Sequence, residues 1–120
     1  MLISVVDDDE SVRSATADLL NSVGFACEAF PSAEAYLASA NLARTSCLIL
    51  DIRMPGLSGL ELQTRLAGGG HSIPIIFITS FPDEKMRQQA VDAGAICYLP
   101  KPYSDDELLG CIRRALQHKC

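Results

Sequence analysis

A chain of 120 residues, 48% hydrophobic and 21% charged, holds enough apolar side chains for one buried core. That composition excludes intrinsic disorder, and the length leaves little room for a second domain. Ten Lys and Arg stand against fifteen Asp and Glu, and the net charge of -5 repels phosphate backbones, so the chain by itself is a poor nucleic-acid binder.

Short β-rich apolar runs alternate with stretches of helical spacing. The first run, Leu2–Val6, predicts a strand and leads into the acids Asp7, Asp8, Asp9 and Glu10. No basic region precedes it, so a secretory signal is not expected. Val12, Ala15, Leu19, Leu20 and Val23 then follow the 3.6-residue period to a stop at Gly24. A second strand is expected over Phe25–Phe30, after which Ser32 caps a helix carrying Tyr36, Leu37 and Ala40. The third strand, Cys47–Leu50, runs into Asp51. Ser58 with Glu61 matches a capping box ahead of Leu62 and Leu66. Gly68, Gly69 and Gly70 follow a helix rather than a strand, which predicts a flexible loop and not a phosphate cradle. The longest strongly apolar run, Ile73 to Ile78, is interrupted by Pro74, so no segment spans a bilayer. Its strand, Ile75–Ile78, leads to Thr79 and Ser80, and a fourth helix is expected from Asp83 to Gly94. The fifth strand, Ile96–Leu99, leads to Lys101 between Pro100 and Pro102. A second capping box, Ser104 with Glu107, opens a last helix with Leu108, Ile112 and Leu116 on its apolar stripe.

Five strand–helix units whose strands are apolar on both faces predict an α/β fold, a parallel sheet with helices on either side. Right-handed crossovers leave a doubly wound, flavodoxin-like sheet as the leading topology. The five cysteines, Cys27, Cys47, Cys97, Cys111 and Cys120, form no CxxC pair, which removes support for zinc or thioredoxin-type chemistry. Their apolar surroundings predict buried thiols in a reducing compartment, the cytoplasm.

Ligands of open α/β sheets bind at the carboxyl ends of the strands. Those ends carry Asp7 and Asp8, Asp51, Thr79 and Lys101, from strands one, three, four and five. Each alone is ordinary: acid runs usually cap helices, and a lysine in a proline-flanked loop is usually solvated. Their joint placement on one edge is what points to chemistry. Clustered carboxylates repel one another, and an oxygen-ligated divalent ion, Mg2+ or Mn2+ in its place, removes the conflict. A carboxylate also accepts phosphoryl groups, whose oxygens Lys101 and Thr79 would neutralise and hydrogen-bond.

The segments VVDDDE, LILDIRMPGLSGLEL, IIFITS and AGAICYLPKPYSDDEL resemble the receiver domain of two-component response regulators, over essentially the whole chain. The central and C-terminal wording is similar to the FixJ-type subfamily, which joins a receiver to a LuxR-like helix-turn-helix domain. The resemblance implies five strands in the order 2-1-3-4-5 with five helices. It implies Asp51 as phosphoacceptor, and Mg2+ bound by Asp8 and Asp51 directly, by the Arg53 backbone carbonyl, and by Asp7 through water. Thr79 would be the switch hydroxyl, Lys101 the phosphoryl partner, and Tyr98 an aromatic that changes rotamer. Met54, Pro55 and Gly56 would shape the loop after the acceptor, and the Lys101–Pro102 bond would be cis. Asp9 falls where such domains usually carry Glu, and His71 and His118 read as surface residues.

The implied function is a signalling switch over residues 1–120 that catalyses its own Mg2+-dependent phosphorylation and dephosphorylation, not a metabolic enzyme. Its donor would be a sensor histidine kinase, and its output a phosphorylation-dependent homodimer through the fourth helix and fifth strand. DNA would be reached only through an effector domain absent from these residues, with no membrane partner. The chief alternative is a stand-alone receiver acting through protein contacts. A haloacid-dehalogenase-like phosphatase needs a second acid where Arg53 stands, and a flavin carrier needs hydroxyls where the first loop is acidic.

Overall fold

A computed structural model describes residues 2–39 and 42–117. The chain runs β1 (Leu2–Val6), α1 (Glu10–Ser22), β2 (Ala26–Phe30), α2 (Ala33–Leu37), a short 3-10 turn (Leu42–Arg44) and β3 (Thr45–Asp51). It continues α3 (Gly59–Gly68), β4 (Ile75–Thr79), α4 (Glu84–Asp92), β5 (Cys97–Pro100) and α5 (Asp105–Gln117). The five strands are parallel and stand in the order β2-β1-β3-β4-β5, the flavodoxin-like arrangement expected.

Strand alternation sends side chains into two apolar layers. Ile3, Val5, Ile49, Ile76 and Ile78 meet Leu20 of α1 and Leu108, Ile112 and Ala115 of α5 on one face. Val6, Leu48, Leu50 and Phe77 meet Tyr36 of α2, Leu62 and Leu66 of α3 and Ala90 of α4 on the other. Both capping boxes form: Ser58 Oγ accepts from Glu61 N while Glu61 Oε1 accepts from Ser58 N, and Ser104 with Glu107 does the same. Ser32 caps α2, Asp83 caps α4, and Asp9, the third acid after β1, caps α1 by accepting from Ser11 N. Among the described residues no helix is long and apolar enough to cross a membrane. Ala40, His118 and Cys120 lie outside the described residues.

Two expectations need correction. β3 begins at Thr45, two positions before the apolar run, and ends on Asp51 itself. Apolarity marks its middle only, because hydroxyls satisfy one another at its start: Tyr36 Oη donates to Thr45 Oγ1 at 2.8 Å, and Ser4 Oγ lies 2.8 Å from the same atom. The cysteines are not all thiols. Cys97 of β5 and Cys111 of α5 form a disulfide, whereas Cys27 and Cys47 are free. The inward faces of strand and helix bring the two Cα atoms to 6.1 Å, within reach of a bridge.

Tyr36→Phe deletes one member of the buried hydroxyl chain while keeping the ring, so urea unfolding should show a loss of about 1 kcal/mol with an unchanged m-value.

Candidate functional site

Asp7 directly follows β1 and is fully buried. Its backbone N–H donates to Phe30 O, and its carbonyl accepts from Arg13 Nη1 at 2.7 Å. Its carboxylate accepts from Asp9 N at 2.9 Å and from Lys101 Nζ at 3.0 Å. Asp51, the last residue of β3, accepts from Arg53 N at 3.3 Å through Oδ1, and its Oδ2 lies 3.7 Å from Lys101 Nζ. Lys101 is fixed through its own N–H, which donates to Thr79 O at 2.7 Å, and the Lys101–Pro102 peptide is cis. Asp8 is exposed beside them, and Asp7, Asp8 and Asp51 each offer an oxygen within 4.8 Å of the others.

Two glycines shape the loop after β3. A Cβ on Gly59 would sit 2.4 Å from Asp51 O and 2.9 Å from Ile52 Cα, so only glycine lets α3 begin against the end of β3. Gly56 has φ +77°, and a Cβ there would meet Glu34 Oε2 at 2.6 Å. That same oxygen, from α2, accepts from Leu57 N at 3.1 Å and braces the Met54-Pro55-Gly56 loop.

Three carboxylates and one ammonium sum to -2 when all are ionised. Burial, then the negative charge of Asp7, pushes the Asp51 carboxyl up to about 7, and Lys101 offsets this only in part. Burial works against the Lys101 ammonium, but its bond to Asp7 and the charges of Asp7 and Asp51 hold its pKa above the ordinary value. Hard oxygen donors with that charge excess suit a divalent cation, with Asp7, Asp8 and Asp51 positioned to hold it.

A cleft of about 240 Å³ opens over this cluster, lined by the three carboxylates, Asp9, Arg53, Ser80, Phe81 and Lys101. Thr79 lies outside that lining, 1% exposed, its Oγ1 accepting from Phe81 N at 3.1 Å. Tyr98 is farther off: its hydroxyl accepts from Asp83 N and donates to Asp83 O, tying β5 to the start of α4. His71 follows α3 and takes no part in the cleft.

Sequence reasoning overlooked three contributors. Arg13 stands in the first turn of α1, where the helix dipole disfavours a cation, and its contact with the Asp7 carbonyl gives it another purpose. Phe81 is 63% exposed and holds the Arg53 guanidinium 5.3 Å from its ring centroid, so the Arg53 side chain is held at the rim of the cleft. Glu34 looks like any acid at a helix start, and nothing in the linear pattern joins it to Leu57.

The family model of the response regulator receiver domain matches residues 3–113. The chain belongs to that family. Response regulator protein TodT of Pseudomonas putida is 44% identical over 116 residues, covering 97% of this chain and 51% of that protein. Transcriptional regulatory protein FixJ of Rhizobium meliloti is 40% identical over 97% of this chain and 57% of its own length. The crystal structure of FixJ-N superposes with a TM-score of 0.88 at 37% identity, covering 99% of this chain and 95% of that one. This receiver chain therefore spans about half the length of the curated relatives it matches.

Because the folded state raises the Asp51 pKa to about 7, protonated Asp51 stabilises the fold at low pH, and this contribution is lost as pH rises towards and through 7. Asp51→Asn should therefore stabilise the metal-free protein increasingly from pH 4 to pH 8, by up to about 4 kcal/mol at the upper end. Urea unfolding in chelator at both pH values measures the difference, and a gain independent of pH would contradict it.

Proposed function

We propose that this receiver is a phosphorylation-controlled switch, with Asp51 accepting a phosphoryl group from the phosphohistidine of a sensor histidine kinase. The observation that carries this reading is the placement of the Asp51 carboxylate in an open cleft with Lys101 Nζ 3.7 Å away and the Asp7 and Asp8 oxygens alongside. Mg2+, with Mn2+ as a substitute, would be held by Asp8, Asp51 and the Arg53 carbonyl directly and by Asp7 through water. When bound, it neutralises the carboxylates and the phosphoryl oxygens.

Ionised Asp51 attacks phosphorus as the P–N bond to histidine breaks, and the departing imidazole takes up a proton. Lys101, anchored by Asp7, faces the phosphoryl oxygens as a fixed cation. The Thr79 hydroxyl leaves the Phe81 N–H for a phosphoryl oxygen, and Tyr98, released from Asp83, turns into the vacated space. The same site hydrolyses the acyl phosphate by admitting water.

Output runs through a face that has two arrangements. α4 and β5 connect Thr79 to Lys101, and α4 presents Met86 and Val91 beside Lys85 and Arg87. Phosphorylation drives homodimerisation through this face in the cytoplasm. The similarity to FixJ, a transcriptional regulatory protein, favours an effector domain beyond these residues as the part that touches DNA.

Acetyl phosphate with Mg2+ should add one phosphoryl group to the intact mass, and beryllofluoride should convert a sedimenting monomer to a dimer at tens of micromolar. Asp51→Asn should abolish both effects. Undiminished labelling of that variant would overturn the assignment of the acceptor, and a fully modified monomer would overturn the dimer.

A further inference from the structure

The mechanism leaves the Cys97–Cys111 bridge without a role. The bridge lies on the α1/α5 face, at the rim of that layer, with Cys97 8% and Cys111 7% exposed. Exposed Arg114, one turn past Cys111 on α5, directs Nη1 to Cys97 Sγ at 3.4 Å and Nη2 to Ile96 O at 3.5 Å. A guanidinium beside a sulfur favours the thiolate over the thiol. At the other described cysteines burial dominates, pushing the Cys27 thiol up to about 11 and the Cys47 thiol up to about 12.

We propose that Cys97 and Cys111 form a reversible dithiol–disulfide couple in which Cys97, held beside Arg114, is the thiolate that exchanges with small-molecule disulfides of the glutathione type. On oxidation, Cys97 attacks one sulfur of the oxidised small molecule. A mixed disulfide forms as the small-molecule S–S bond breaks, and one thiolate leaves. Cys111 gives its proton to solvent and attacks the Cys97 sulfur, expelling the second small thiolate. Two protein thiols lose two electrons, and one disulfide becomes two thiols. Cytoplasmic disulfides are usually transient, so the cytoplasmic reading above makes this a sensing bond rather than a static staple. Along β5, Cys97 faces α5 and Tyr98 faces α4, so the bond fixes α5 while leaving the opposite face free to move.

The test incubates the full chain in glutathione buffers of rising oxidation, quenches with acid, alkylates and follows each cysteine peptide by mass, with Cys120→Ser as the background. Cys97 and Cys111 should lose their labels together in one transition, while Cys27 and Cys47 stay thiols throughout. Cys111→Ser should collect one glutathione on Cys97, and Cys97→Ser none on Cys111. Arg114→Gln should slow oxidation at pH 7 by about threefold and move the rate profile to higher pH, which loss of packing alone would not do. A pair fully alkylated in the most oxidising buffer, glutathione on Cys111 instead of Cys97, or an unchanged rate profile in Arg114→Gln would each overturn the proposal. The first of these results needs no substitution at Cys97, Cys111 or Arg114.

Discussion

Lys101 reaches from the end of β5 to Asp7 at 3.0 Å and to Asp51 at 3.7 Å, drawing the ends of three strands to one point. The pair is nearly dry, with the Asp7 side chain fully buried and that of Lys101 16% exposed. Removing two charges from water is repaid only when other polar groups complete the shell. Asp7 meets that condition: both carboxylate oxygens, its carbonyl and its N–H all have partners. One ammonium cannot balance three carboxylates, however. Burial, and then the charge of Asp7, raises the Asp51 pKa to about 7, and the charge left over makes the cleft a place where a cation gains free energy.

Strand register explains why the charges meet. Val6 of β1 pairs with Leu50 of β3, so the next residues, Asp7 and Asp51, emerge side by side. Asp51 pairs with Ile78, which puts Thr79 one step beyond, and Thr79 pairs with Pro100, one step before Lys101. Each chemical residue is the last of its own strand or one of the first two beyond it. The helices cover opposite faces of the sheet, α1 and α5 on one and α2, α3 and α4 on the other, and the strand ends are left open between them.

Much of this was legible in the linear pattern because apolar runs, capping residues and strand-end charges are local signals. The five strands, the two capping boxes and the convergence of Asp7, Asp8, Asp51 and Lys101 all follow from them. The rest depends on contacts between distant segments. The start of β3 at Thr45 rests on hydroxyls from Ser4 and Tyr36, which apolar periodicity does not detect. The Glu34 brace on Leu57 joins α2 to the loop after β3, and the Arg53–Phe81 contact joins the ends of β3 and β4. The disulfide needed the inward faces of β5 and α5, and spacing along the chain carries no such information.

The charge excess at the cleft is the claim on which the function depends, and a thermal melt with and without Mg2+ tests it most directly. Saturating Mg2+ should raise the Tm by several degrees over the chelated protein. Asp8→Ala should abolish that response and melt no lower than the wild type in chelator, because one repelling carboxylate is gone. A wild-type Tm that is the same in Mg2+ and in chelator would contradict the account, as would an Asp8→Ala protein that still responds to the metal.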